Sequence, residues 1–166
     1  MALVQLSRNN LTAAGTAYSK ALASDPANIE ALSGLIRLDL AAKRTKQASD
    51  RLDAAVARQD VSVDLLLMAA QGHLAVGSVE KGEADLKRAI QLDPARLQGY
   101  ALLGRLYGGQ NRLNDAKKQF EQLLERDSSS VAAHTMIGMI AEAQGRKAEA
   151  EKSYEQALAA DARAPV

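Results

Sequence analysis

The 166-residue chain has no cysteine and no tryptophan. Without cysteine there are no disulfides, no thiolate metal sites and no cysteine nucleophile. Aromatic residues are scarce, four Tyr and one Phe, and there are only three Pro. Thirteen Val plus Ile stand against 33 Ala and 23 Leu. Strand formers are therefore thin and helix formers abundant, which points to an all-α fold. Long apolar runs are missing too. The best candidate, residues 61–70, is interrupted by Asp64 and falls short of the roughly 18 residues that span a bilayer. Direct membrane insertion is not expected. Residues 1–6 lack the basic start of a secretory leader and are too short for one. A chain without cysteine is tolerated in the cytoplasm and in the periplasm, so both compartments stay open. Excess charge of one sign is absent as well: the net charge is +1, which gives no support to a nucleic-acid partner. What is present is ordinary for a folded globular chain, 47% apolar and 25% charged.

The positive signal is a repeat. Asp25-Pro26 returns as Asp93-Pro94, 68 residues on, with Gln59-Asp60 halfway and Asp127-Ser128 and Asp161-Ala162 continuing the beat. Small residues keep a 34-residue spacing at Ala14, Ala48, Gly82, Ala116 and Ala150. Large ones follow four positions later, at Tyr18, Leu52, Leu86, Phe120 and Tyr154. A third series is Ala21, Ala55, Ala89, Leu123 and Ala157. Three series in one register, without insertion, define a helical repeat array.

In these residues the chain resembles the tetratricopeptide repeat (TPR) family. Its pattern is clearest in Tyr100, Leu103-Gly104, Tyr107, Ala116 and Phe120, with Ser128 where Pro is usual. The next unit carries His134, Ile137-Gly138, Ala141, Ala150 and Tyr154. The one before carries Leu66, Ala69-Ala70, His73, Gly82, Leu86 and Pro94. The most divergent has Leu32, Leu35-Ile36, Asp39, Ala48, Leu52 and Asp60. The resemblance implies a right-handed α-solenoid of stacked antiparallel helix pairs. It would hold a partial repeat at 1–28, four full repeats at 29–62, 63–96, 97–130 and 131–164, and the start of a further unit at 165–166, all in one continuous domain.

Neither helix of such a unit buries its apolar stripe alone, and stacking joins the stripes into one core. The spacing predicts helices over 2–8, 11–24, 29–42, 46–58, 63–76, 80–92, 97–109, 113–126, 131–144 and 147–161. A left-handed residue is needed inside each pair. Gly77 and Gly145 supply it, Asn111 tolerates it, and Lys43 is either strained there or the turn differs. The phase starts the chain inside a repeat, with about half of a first helix and a turn at Asn9-Asn10 ahead of the second helix, and Pro165-Val166 falls where the next unit's first helix would start. This suggests a piece of a longer array, against the alternative of a short protein with an irregular start. In the first case Tyr154, Ala157 and Leu158 of the last helix face solvent, and the ends invite self-association.

Catalytic constellations are wanting. His73 and His134 stand where the family packs an aromatic, and no His-x-x-His or His-Glu-x-x-His spacing occurs. Residues 128–130, all Ser, are a linker and helix-cap candidate. Gly104, Gly108 and Gly109 follow no strand and precede no Lys-Ser or Lys-Thr, so they are not a phosphate loop. Pairs such as Glu83 with Lys87 fit a solvated outer face. Asp39, between packed helices, is odder, and Lys43 one turn on is its expected partner. No enzyme activity and no cofactor are expected.

The resemblance implies that partners lie in a concave groove lined by the first helix of each unit. Its candidate residues are Arg37 and Leu40, then Leu67, Met68, Gln71 and Leu74, then Gln98 and Arg105, and last Thr135, Met139 and Glu142. The Lys, Asn and Arg clamp of chaperone-binding members is not matched, since Ser33, Met68, Gln98 and Leu102 stand at such places and only Arg37 and Arg105 are cationic. A groove of Leu and Met suits the apolar face of an amphipathic helix. The same residues would equally serve packing between units. Two functions result. One is a non-enzymatic scaffold that binds a peptide or helix. The other is a spacer or self-assembling module of a larger protein, homo-oligomeric through its ends. In style the Ala-rich, gap-free array looks like long bacterial TPR proteins, including those near exopolysaccharide export and cell-surface sorting.

Overall fold

The computed structural model describes residues 11–162. Among them are nine helices and no strand: α1 Leu11–Ser24, α2 Ile29–Ala41, α3 Thr45–Val56, α4 Val63–Ala75, α5 Val79–Leu92, α6 Leu97–Gly109, α7 Leu113–Arg126, α8 Val131–Ala143 and α9 Lys147–Asp161. The spacing-derived helices agree with these within two residues at every end. The helix expected over 2–8, the turn at Asn9-Asn10 and the start of a unit at 165–166 lie outside the described residues.

The helix ends follow from local chemistry. Asn28, Ser62 and Ser130 cap α2, α4 and α8, their side-chain oxygens accepting from the backbone N–H of Ala31, Leu65 and Ala133. Inside each pair the chain turns through a left-handed residue: Lys43 (φ 59°), Gly77 (83°), Asn111 (59°) and Gly145 (74°). In each case the next N–H reaches back five residues, Arg44 to Asp39, Ser78 to His73, Arg112 to Tyr107 and Arg146 to Ala141, at 2.8–2.9 Å. That bond closes the helix in a Schellman motif. Lys43 keeps the left-handed turn despite its Cβ, at a steric cost of about 1 kcal/mol. Lys43→Gly is therefore expected to stabilise the chain by about 0.5 kcal/mol, part of the relief being lost to the greater freedom of unfolded glycine. Chemical denaturation reads this directly, and a less stable variant would contradict it.

Contacts divide the chain into two compact units between Leu92 and Asp93. In the first, α1 meets α2 through Ala14, Tyr18, Ala31 and Leu35. Tyr18 lies flat on Gly34, where a Cβ would sit 2.4 Å from the ring, so only glycine lets the two helices come so close. Farther along, Leu65, Leu66, Ala69 and Ala70 of α4 are buried with Leu52 of α3 and with Leu86 and Ala89 of α5. The α4–α5 pair is closely packed, whereas α2 and α3 approach over fewer residues. In the second unit Tyr100, Leu103 and Tyr107 of α6 are buried with Ala116, Phe120 and Leu123 of α7. Ala133, Ile140 and Ala141 of α8 are buried with Ala150 and Ala157 of α9.

Candidate functional site

The first helix of each pair carries every residue proposed from the sequence, but exposure separates them. In the first unit Arg37 of α2 and Gln71 of α4 are open to solvent, and they occupy the same place 34 residues apart. Leu40, Met68 and Leu74 are half-buried. Leu74 leans on Gly82 of α5, its Cδ2 2.8 Å from where a Cβ would stand, so it packs a helix pair. Leu67 is 3% exposed. It offers no surface to a partner, because on α4 Leu65, Leu66 and Leu67 are all turned into protein. In the second unit Gln98 and Arg105 of α6 are exposed, and Met139 of α8, 34 residues after Arg105, is 53% exposed. Thr135 gives its hydroxyl to Val131 O at 2.8 Å. Glu142 accepts from the Tyr154 hydroxyl at 2.9 Å. Burial, and then this carboxylate, push the Tyr154 phenol above its ordinary range.

Two of the three residues expected to be open on the last helix are not. Ala157 is buried, and Tyr154 is half-buried over Gly138. Leu158 is exposed as expected, at 71%.

A polar network not foreseen in the sequence lies between the helices of the first unit. Asp39 is 2% exposed, and Lys43 is not its partner. The left-handed turn aims Lys43 away and brings Arg44 in, with Nη2 2.8 Å from Oδ1. Arg51 of α3 donates from Nε to Oδ2 at 2.9 Å. One repeat later the same two positions hold His73 and Asp85. His73 is buried, and its Nδ1 donates to Asp85 Oδ2 at 2.7 Å. Its Nε2 lies 3.4 Å from Asp53 Oδ1, without the alignment of a hydrogen bond. Asp53 in turn accepts from Lys81 Nζ at 2.6 Å. That ammonium holds the Asp53 carboxyl below the usual carboxylate range. A carboxylate whose folded pKa is depressed adds stability above its unfolded pKa and loses it as pH falls through the folded one. Lys81→Met is thus expected to cost about 0.5 kcal/mol at neutral pH, the pair being half-exposed, and the gap to the parent closes in acid. A gap that stays constant down to acid pH would contradict this.

The second unit has weaker counterparts. Arg112 lies 4.0 Å over the Tyr107 ring, and Arg126 donates to Tyr100 Oη at 3.0 Å. His134 is buried, and its Nε2 donates to Ser128 O at 3.0 Å, so it packs with one nitrogen satisfied, as expected. The sequence held a signal for the network: positions 39 and 51, then 73 and 85, are twelve apart and ionisable in consecutive repeats.

None of this assembles a nucleophile, a base and an open substrate position. Among the described residues no cluster of His, Asp and Glu is arranged to hold a metal ion. None of their helices is long and apolar enough to cross a membrane.

Two family models, both described as tetratricopeptide repeat, match residues 5–71 and 101–165. The chain belongs to the tetratricopeptide repeat family. No curated protein sequence matches it. Solved structures do. The crystal structure of MamA is 22% identical over 98% of this chain and 95% of that one, with TM-score 0.74. YrrB, described as a TPR protein with an unusual peptide-binding site, is 21% identical over 98% of this chain and 84% of its own, with TM-score 0.67. A tetratricopeptide repeat protein from Parabacteroides merdae is 19% identical over 98% of this chain and 64% of its own, with TM-score 0.72. These identities speak for the fold: an all-α TPR array.

Proposed function

We propose that this TPR chain is a non-enzymatic scaffold whose first-helix faces bind a peptide or an amphipathic helix. The repeat boundaries that go with this are 29–62, 63–96, 97–130 and 131–164, after a partial unit at 1–28. Met139 carries the reading. It stands on α8, whose buried side is already filled by Ala133, Ile140 and Ala141, yet it leaves 53% of its own surface in water. A flexible thioether in that position suits an adaptable apolar contact. Arg105, one repeat earlier, offers a cation at the same place, and Arg37 and Gln71 offer polar groups on the first unit. The peptide-binding description of YrrB and the scaffold role general to TPR proteins support the same reading. Leu67 is set aside as a contact residue because it is buried.

The test is selection of helical peptides from a displayed library on the immobilised protein. Binding is expected to fall at least about tenfold in an Arg105→Glu, Met139→Glu double variant, a loss of about 1.4 kcal/mol or more. It is expected to be unchanged in Lys118→Glu, on the exposed side of α7. Circular dichroism checks that both variants fold. Peptides that bind the double variant as well as the parent would sink the proposal.

A further inference from the structure

A cavity of about 760 Å³ lies in the first unit, walled by α1 and α2, by Arg44 in the turn that follows α2, and by Arg51 of α3. Its walls include Leu11, Leu35 and Leu38, and Leu11 is 48% exposed. Its polar end is cationic. Arg44, Arg51 and Lys20 line it against one carboxylate, Asp39. Asp39 takes only Nε and one terminal nitrogen of Arg44 and only Nε of Arg51. A guanidinium has five N–H donors, so both retain some for another acceptor. Lys20 is exposed and makes no ion pair among the described residues. An apolar hollow with surplus cations calls for an occupant that is apolar and acidic.

The second unit carries such a surface. On α9, Glu151, Glu155 and Leu158 are spaced four and three apart, which puts them on one face of the helix. All three are exposed, Leu158 at 71%, and neither Glu has an ion-pair partner among the described residues. The neighbouring Glu149 shows the contrast, being held by Arg146 at 2.7 Å.

We infer that the cavity walled by Leu11, Leu35 and Leu38 and rimmed by Lys20, Arg44 and Arg51 receives the Glu151–Glu155–Leu158 face of α9 from a second copy of this chain. Leu158 enters the apolar hollow, and the two carboxylates meet the cations. The two surfaces differ, so the contact is heterologous. The pair keeps a free cavity on one copy and a free α9 face on the other, so copies add head to tail into an open chain or a closed ring. A single helix face buries less than a stable dimer interface does. The association is therefore weak, is driven by concentration and falls with added salt.

Sedimentation velocity over a concentration series, at low and high salt, provides the test, with circular dichroism to confirm folding. The parent is expected to associate at low salt. Leu158→Glu and Lys20→Glu, both at exposed positions, are each expected to be monomeric. The deciding arm mixes those two variants. The first keeps its cavity and the second keeps its α9, so the mixture is expected to form a one-to-one dimer and stop there. A parent that stays monomeric throughout overturns the proposal. So does a Leu158→Glu variant that associates like the parent, or a mixture that stays monomeric while the parent associates. Association that appears only after removal of residues 1–10 would assign the cavity to that segment of the same chain and would equally overturn it.

Discussion

Gly104→Leu is expected to destabilise the protein by about 3 kcal/mol, at the upper end of what overpacking a core costs. A Cβ at Gly104 would stand 2.7 Å from the Cε2 and Cζ atoms of Phe120. Phe120 is 2% exposed and packed on every side, so its ring has nowhere to move. A leucine there must push α6 away from α7, and the hydrogen bond from Arg126 to the Tyr100 hydroxyl, which ties the same two helices, is stretched with it. The midpoint of thermal unfolding should fall by about 10 °C. Gly108, one turn on in the same helix, has nothing within 4 Å of its would-be Cβ. Gly108→Ala is accordingly expected to stabilise by about 0.5 kcal/mol, because alanine has the better helix propensity. The opposite signs separate a clash from a general effect of glycine. If both variants unfold like the parent, the repeat register is wrong.

That register was legible because stacking repeats depend on it. The places that tolerate only small residues recur every 34 positions, and so do the places that need a left-handed turn. Even Lys43, the least suited residue, adopts the turn that Gly77 and Gly145 adopt, since the helices on either side dictate it. Partner choice for buried charges was not legible. Asp39 and Lys43 are one helical turn apart in sequence, yet a residue in a left-handed turn no longer continues the helix face on which that spacing counts. The carboxylate instead found Arg44 and Arg51, the second of which lies on another helix. Exposure on the first-helix faces was read only in part. Leu67 and Met139 looked alike as apolar members of one face, but the first is buried by α4's own crowded surroundings and the second stands open. Periodicity gives the face of a helix and says nothing of how far a neighbour covers it.

His73→Asp is expected to cost about 3 kcal/mol, and adding Asp85→Arg to recover about 2 kcal/mol of it. The single change puts a third carboxylate beside Asp53 and Asp85, at a site where His73 is 1% exposed. Asp53 is half-exposed and held by Lys81, but Asp85 and the new carboxylate would face each other where water screens them poorly. The double change reproduces the pair that the preceding repeat already holds at the matching positions, where Arg51 donates to the buried Asp39. Recovery is incomplete because that repeat also supplies Arg44, and its counterpart one repeat on is Ser78. Chemical denaturation of the parent, both single variants and the double closes the cycle. A double variant no more stable than His73→Asp alone would show that the two positions do not interact as a pair. The pairing matters beyond its own energy. Repeats that bury only Ala and Leu could exchange neighbours at little cost, whereas a slip by one unit would set Asp39 against Asp85, two carboxylates without the Arg51 and His73 donors that each now has. That mismatch inside the protein ties each first helix to its own second helix.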